Sequence, residues 1–108
     1  MSKVKIKRIS YDNEQLEGYI NPINALLRVL SQDKPVPYQT ELADLSMTID
    51  SCDFELYVIG ENERIVEMGS IHFHRTLTKT AAYIEDVAAL DEYQGRGYGY
   101  MIVSQLSY

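Results

Sequence analysis

Between Lys3 and Ser10 the apolar residues Val4 and Ile6 stand two apart with lysines between them. This period-two pattern predicts an edge strand whose open side is guarded by charge. The period then changes. Ile23, Leu26, Leu27 and Leu30 recur at helical spacing behind Asn21-Pro22, which reads as a helix start. Asparagine can cap there, and the N–H that proline lacks would be unpaired in the first turn anyway. Ser31 to Pro37 ends that helix in a loop, and Thr40 is placed to cap a second helix with Leu42, Leu45 and Ile49 on one side. Both stripes are expected to be core contacts. Beyond Asp53 three strand-like runs follow: Phe54–Ile59, Ile65–Arg75 and Ala81–Leu90. The turn Gly60–Asn62 separates the first two, and the polar loop Thr76–Thr80 the last two. Neither connection has room for a crossover helix, so antiparallel pairing is expected. A glycine-rich turn and a short amphipathic run, Met101 to Leu106, close the chain. The predicted fold class is α+β: a strand, two helices, a three-stranded antiparallel meander, then a Gly-rich turn and a helix.

A chain of 108 residues suits one domain with an adequate core. The final helix is too short to be stable alone, and no C-terminal cap signal or closing strand follows it. The expectation is therefore a single domain over residues 1–108 that lacks its C-terminal third. A net charge of −6 repels polyanions at long range, so a nucleic-acid partner is not expected. Cys52 is the only cysteine, which leaves no intrachain disulfide, and it is expected to be a buried apolar residue. The start, MSKVKIKRIS, is too charged for a signal peptide, and no apolar run reaches the roughly 20 residues of a membrane helix. A cytoplasmic location without membrane partners is expected.

Two chemistries compete for Tyr93 to Val103, YQGRGYGYMIV. Arg96 to Val103 resembles the stacking octamer of an RNA-recognition motif, with Leu56 to Ile59 imitating its partner strand. That fold needs a helix between the two, where this chain carries Ile65–Arg75 and Ala81–Leu90, both strand-like. In the second reading, Gln94-Gly-Arg-Gly-Tyr-Gly99 lies between a strand and a helix, where successive backbone N–H groups can cradle a phosphate. A glycine turn without any ligand fits the pattern equally well. His72 and His74 share one strand face, but no third ligand is evident, so no metal is expected.

Gln94, two residues, Gly97, one residue, Gly99, placed after a strand carrying Ile84-Glu-Asp-Val-Ala-Ala89, resembles the acetyl-CoA motif of the GNAT N-acetyltransferases. Tyr83 to Val87 followed by Asp91 to Gly97 is similar to the glucosamine-6-phosphate N-acetyltransferases within that family. The preceding Ile65 to Ser70 and the two helices lie in the same order. The resemblance implies acetyl-CoA as co-substrate and direct transfer to a primary amine, with an amino-sugar phosphate as acceptor and a homodimer as assembly. It implies that Val87, Ala88 and Ala89 serve the thioester carbonyl. Gln94, Gly95, Arg96, Gly97, Tyr98, Gly99 and Tyr100 would hold the diphosphate, although Tyr100 replaces a residue that is often basic. Glu85 and Asp86 would orient and deprotonate the amine. On an extended strand neighbours face opposite sides, so both acids can reach it only if the strand is bulged. Thr76, Leu77, Thr78 and Lys79, together with Glu85, Asp86 and Val87, would contact the acceptor, with Lys79 as the cation for a phosphate. Asp33 falls in a substrate-side loop, where an acid would repel that phosphate. A chain without the C-terminal third is also compatible with a non-catalytic CoA-binding module.

Overall fold

The structure, a computed structural model, describes residues 4–9, 16–94, 102 and 104. Four strands, β1 (Val4–Ile9), β2 (Phe54–Glu61), β3 (Arg64–Arg75) and β4 (Thr80–Ala89), form one antiparallel sheet in the order β1-β2-β3-β4. Two helices, α1 (Ile20–Leu30) and α2 (Leu42–Ile49), lie between β1 and β2 in the chain. The α+β class, the two helices and the meander are as the hydrophobic pattern predicts. No described helix is long and apolar enough to cross a membrane.

The central strand β2 reads as a near-continuous apolar run because both its faces are covered. Leu56 and Val58 join Met68 and Ala88 beneath α1 and α2, where Ile23, Leu26, Leu45 and Ile49 complete one core. Tyr57 and Ile59 join Val66 and Ile71 on the opposite face, together with Ile102. Ile102 reaches the sheet because Gly69 has no side chain: a Cβ there would stand 2.8 Å and 3.2 Å from two Ile102 methyls and 3.4 Å from Val87.

The local caps differ from the sequence expectation. Asn21 is inside α1, which is entered through a 3-10 turn (Leu16–Tyr19), and neither Tyr19 nor Asn21 caps it with a side chain. The incoming turn already continues the helical path, so no capping side chain is required. Thr40 does not cap α2 either: Glu41 is the N-cap. Thr40 is instead held through its backbone by Asn24, whose Oδ1 accepts the Thr40 N–H at 2.7 Å and whose Nδ2 donates to the Thr40 carbonyl at 3.0 Å. That two-point clamp fixes the start of α2 against α1. Of the α2 stripe, Leu45 and Ile49 are buried while Leu42 is exposed. The β2–β3 turn also lies two residues later than the sequence suggests. Strand β2 runs through Gly60 and Glu61, and Asn62 and Glu63 carry positive φ (52° and 69°) as in a two-residue hairpin turn. Cys52 is exposed rather than buried, in the turn that joins α2 to β2. Of the expected final helix only Ile102 and Ser104 are among the described residues, and the whole run from Gly95 to Tyr100 lies outside them.

Candidate active site at the edge of the sheet

Strand β4 is the last strand of the sheet, so one of its edges has no strand beside it among the described residues. Its pairing with β3 is interrupted once. Met68 opposes Ala88 and Ser70 opposes Glu85, so Gly69 alone stands against both Asp86 and Val87. This is a β-bulge, and Asp86 takes the positive φ (53°) that it demands. A bulge of this kind is what two adjacent acids on one strand need in order to share a face. Glu85 is the cross-strand partner of Ser70, and Asp86 lines the same cavity as Ser70. The Ser70 hydroxyl donates to the Glu85 carbonyl at 2.9 Å and ties the two strands beside the interruption.

The electrostatics follow from this placement. Asp86 is exposed as a residue, but it borders an apolar cavity between the sheet and the helices. Desolvation first, and the charge of Glu85 second, push its pKa above the ordinary aspartate value. A carboxyl held there is a better proton acceptor than a surface aspartate, as general-base catalysis near neutral pH requires. Glu67, opposite Ala89 and almost fully buried, is also pushed up by burial. Nothing in the sequence pattern singles Glu67 out, because a lone glutamate in a strand carries no local sign of burial.

Beyond the bulge the backbone groups of β4 alternate between its two edges. The Leu90 N–H donates to the Val66 carbonyl at 2.9 Å, toward β3. In an extended strand the polar groups of neighbouring residues point to opposite edges, so the Ala89 N–H and C=O point away from β3, to the open side. The Ala89 carbonyl is taken by the Gln94 Nε2 at 3.2 Å, which also donates to Asp91 at 3.3 Å. Gln94 thus ties the start of the glycine run to the end of β4, and the Ala89 N–H is left facing outward. An ion pair between the Arg64 Nη1 and Glu92 Oε1 (2.7 Å), with Arg64 also 6.0 Å from the Tyr93 ring, anchors the same turn to β3. Both partners are well exposed, so the pair orients the turn more than it stabilises the fold.

The structure therefore brings together Glu85, Asp86, Val87, Ala88, Ala89 and Gln94 at one end of β4. Gly95, Arg96, Gly97, Tyr98, Gly99 and Tyr100 lie outside the described residues. It does not bring Thr76, Leu77, Thr78 and Lys79 to that place. They form the exposed β3–β4 hairpin tip, closed by the Thr76 N–H to the Lys79 carbonyl at 2.8 Å, and Leu77 is fully exposed. At ~3.3 Å per residue, Lys79 lies roughly 20 Å along the strand from Asp86. Asp33 is exposed in the turn after α1, and His72 and His74 are exposed on β3. Among the described residues no group of three potential metal ligands converges. The Asn24 clamp was missed by sequence reading, since its partner lies 16 residues away and leaves no local pattern.

Residues 23–107 match the sequence profile of the Acetyltransferase (GNAT) family. No curated protein matches the chain. Among solved structures, an aminoglycoside acetyltransferase from an uncultured soil metagenomic sample is similar with a TM-score of 0.76 and 21% identity, over 95% of this chain and 66% of that one. A predicted acetyltransferase with acetyl-CoA from Clostridium acetobutylicum is similar at 0.67 and 11%, over 96% and 71%. The glucosamine-6-phosphate N-acetyltransferase from Arabidopsis thaliana is similar at 0.64 and 18%, over 96% and 71%. The chain thus spans about two thirds of the length of these folds. The consecutive β2–β3–β4 meander has no helix where an RNA-recognition motif requires one.

Proposed function

Since the chain belongs to the Acetyltransferase (GNAT) family, we propose that it serves an N-acetyltransferase domain that moves acetyl from acetyl-CoA to a small primary amine at the β4 edge. The observation that carries this reading is the bulge at Asp86, which sets a carboxyl of raised pKa beside an outward-facing strand edge. The thioester lies along that edge, and its carbonyl oxygen accepts a hydrogen bond from an outward N–H of Val87 to Ala89. That donor stabilises the negative charge that develops on the oxygen during attack. Asp86, with Glu85 beside it, takes the proton from the ammonium so that the nitrogen lone pair is free. The C–N bond forms, the C–S bond breaks, and the proton that the new amide nitrogen sheds balances the one the leaving thiolate takes up to give free CoA. Gln94 holds the start of the diphosphate turn in register with this edge.

An amino-sugar phosphate such as glucosamine 6-phosphate is the acceptor that the sequence resemblance suggests. A phosphate near Asp86 needs a cation, and Lys79 is too distant within one chain. That acceptor fits only if a second copy delivers its hairpin tip, which is the role a homodimer would play. Calorimetric titration with acetyl-CoA, followed by free-thiol detection with a panel of amines, tests the proposal. Binding with amine-dependent thiol release is the expected result. Binding without release would leave a CoA-binding module, and no binding at millimolar acetyl-CoA would remove the cofactor from the account.

A further inference from the structure

Between α1, α2 and the bulged part of the sheet lies an open cavity of about 150 Å³. Its chemistry is uneven. Ile23, Leu27, Leu45, Phe54, Leu56 and Met68 make most of its lining apolar. Its three hydroxyl side chains are already committed as donors. Ser70 donates to the Glu85 carbonyl at 2.9 Å, Thr48 to the Asp44 carbonyl at 2.8 Å, and Thr40 to the Glu41 carbonyl at 3.4 Å. The remaining polar lining residue is Asp86, and no lysine or arginine lines the cavity among the described residues.

Resting on the acyl-transfer reading above, we infer that the acceptor is an apolar primary amine: an aryl or short alkyl body with its ammonium group on Asp86 and no phosphate. Size supports a ring, because a cavity of about 150 Å³ walled by leucine, isoleucine and phenylalanine is large enough to hold benzene. Charge supports an unphosphorylated body. An anion placed beside Asp86 and Glu85, with no cation in the lining, would lose its hydration and meet repulsion. Hydrogen bonding points away from a sugar, whose several hydroxyls would leave water for walls that offer few free partners. An amine on a one- or two-carbon arm satisfies every feature at once. The ring displaces water from the apolar walls, the arm spans to the bulge, and the ammonium pairs with Asp86, the one carboxylate among the described lining residues.

The test uses the full chain and two probes, phenethylamine and glucosamine 6-phosphate, titrated calorimetrically without acetyl-CoA. Phenethylamine is expected to bind at least about tenfold more tightly than the sugar phosphate, and Asp86→Asn to weaken it about tenfold by removing the ion pair. Thr48→Trp, at an exposed position of α2 that borders the cavity, should abolish binding while leaving the thermal midpoint unchanged. Equal or tighter binding of glucosamine 6-phosphate, or phenethylamine binding indifferent to both variants, overturns the inference. Thiol release from acetyl-CoA separates the two levels. Faster acetylation of glucosamine 6-phosphate than of phenethylamine sinks the apolar acceptor and keeps acyl transfer. Tight, Asp86-dependent phenethylamine binding without any thiol release supports the amine site and sinks acyl transfer.

Discussion

The sheet is interrupted twice, and the two bulges differ in what they do with the extra residue. Where β2 meets β3, Ile59 pairs with Glu67 and Gly60 with Ile65, which leaves Val66 as the extra residue. Val66 is fully buried in the core that contains Ile59 and Ile71. Where β3 meets β4, the extra backbone belongs to Asp86 and Val87, both exposed, and Asp86 pays with a left-handed conformation. The first bulge turns an irregularity into packing. The second places an acid and a strand edge where a ligand can reach them, which is the usual setting for stored backbone strain. Substitutions at the two bulges should therefore fail differently.

Asp86→Asn should show the largest effect. Asparagine tolerates the left-handed region, so the fold should persist while turnover falls about 10²- to 10⁴-fold through loss of the general base. Steady-state thiol release and a thermal melt on the same sample check both halves. The pH profile sharpens the assignment. The base works deprotonated, so kcat/KM rises with pH through the raised pKa of Asp86. Glu85→Gln removes the lesser of the two causes that raise it, so the acidic limb should move to lower pH. Desolvation remains in that variant, and the limb should stay above the ordinary aspartate range. A limb that does not move would show that the two carboxyls do not share a site.

Val66→Ala should do the reverse. It deletes two methyl groups from a fully buried position and should cost about 1–3 kcal/mol of stability, read from the denaturant midpoint. Once the lost folded fraction is corrected for, turnover should be close to unchanged, because no proposed ligand contact involves this residue. A catalytic defect as large as that of Asp86→Asn would erase the distinction between the bulges.

Much of the fold that carries these bulges was legible in the sequence. The helical stripes of Ile23 to Leu30 and Leu45 to Ile49 and the meander after Asp53 follow from periodicity, which burial enforces directly. The adjacency of Glu85 and Asp86 even states its own condition, since two acids on one regular strand cannot share a face. What the sequence hides depends on distant partners or on the path of the backbone. Asn21 and Thr40 have the right residue types for caps, yet a 3-10 entry and the Asn24 clamp make them unnecessary or engage them otherwise. Cys52 looks apolar by type and is exposed because its turn passes over the surface. Lys79 has the charge a phosphate ligand needs, and only the length of β4 shows that roughly 20 Å of strand separates it from Asp86.

The smallest predicted change in stability tests the strain itself. Asp86→Gly keeps the bulge and removes both the carboxyl and the steric penalty of an L-residue at φ 53°. Activity should be lost, but stability should rise. Relief of the left-handed conformation, less the extra flexibility of glycine in the unfolded chain, leaves a gain of about 0.5–1 kcal/mol. For a chain of this size that raises the melting midpoint by roughly 2–6 °C. Part of the gain should depend on pH. The carboxyl has a higher pKa folded than unfolded, so its charged form opposes folding. That opposition is absent below the unfolded pKa, grows as pH rises, and is complete above the folded pKa. The advantage of Asp86→Gly over the parent should therefore be smaller at pH 4 than at pH 8, with the backbone contribution present at both. A midpoint that falls at both pH values would mean that Asp86 is held by stabilising contacts. The second bulge would then be a packing device like the first, and the argument for a site at the β4 edge would lose its structural basis.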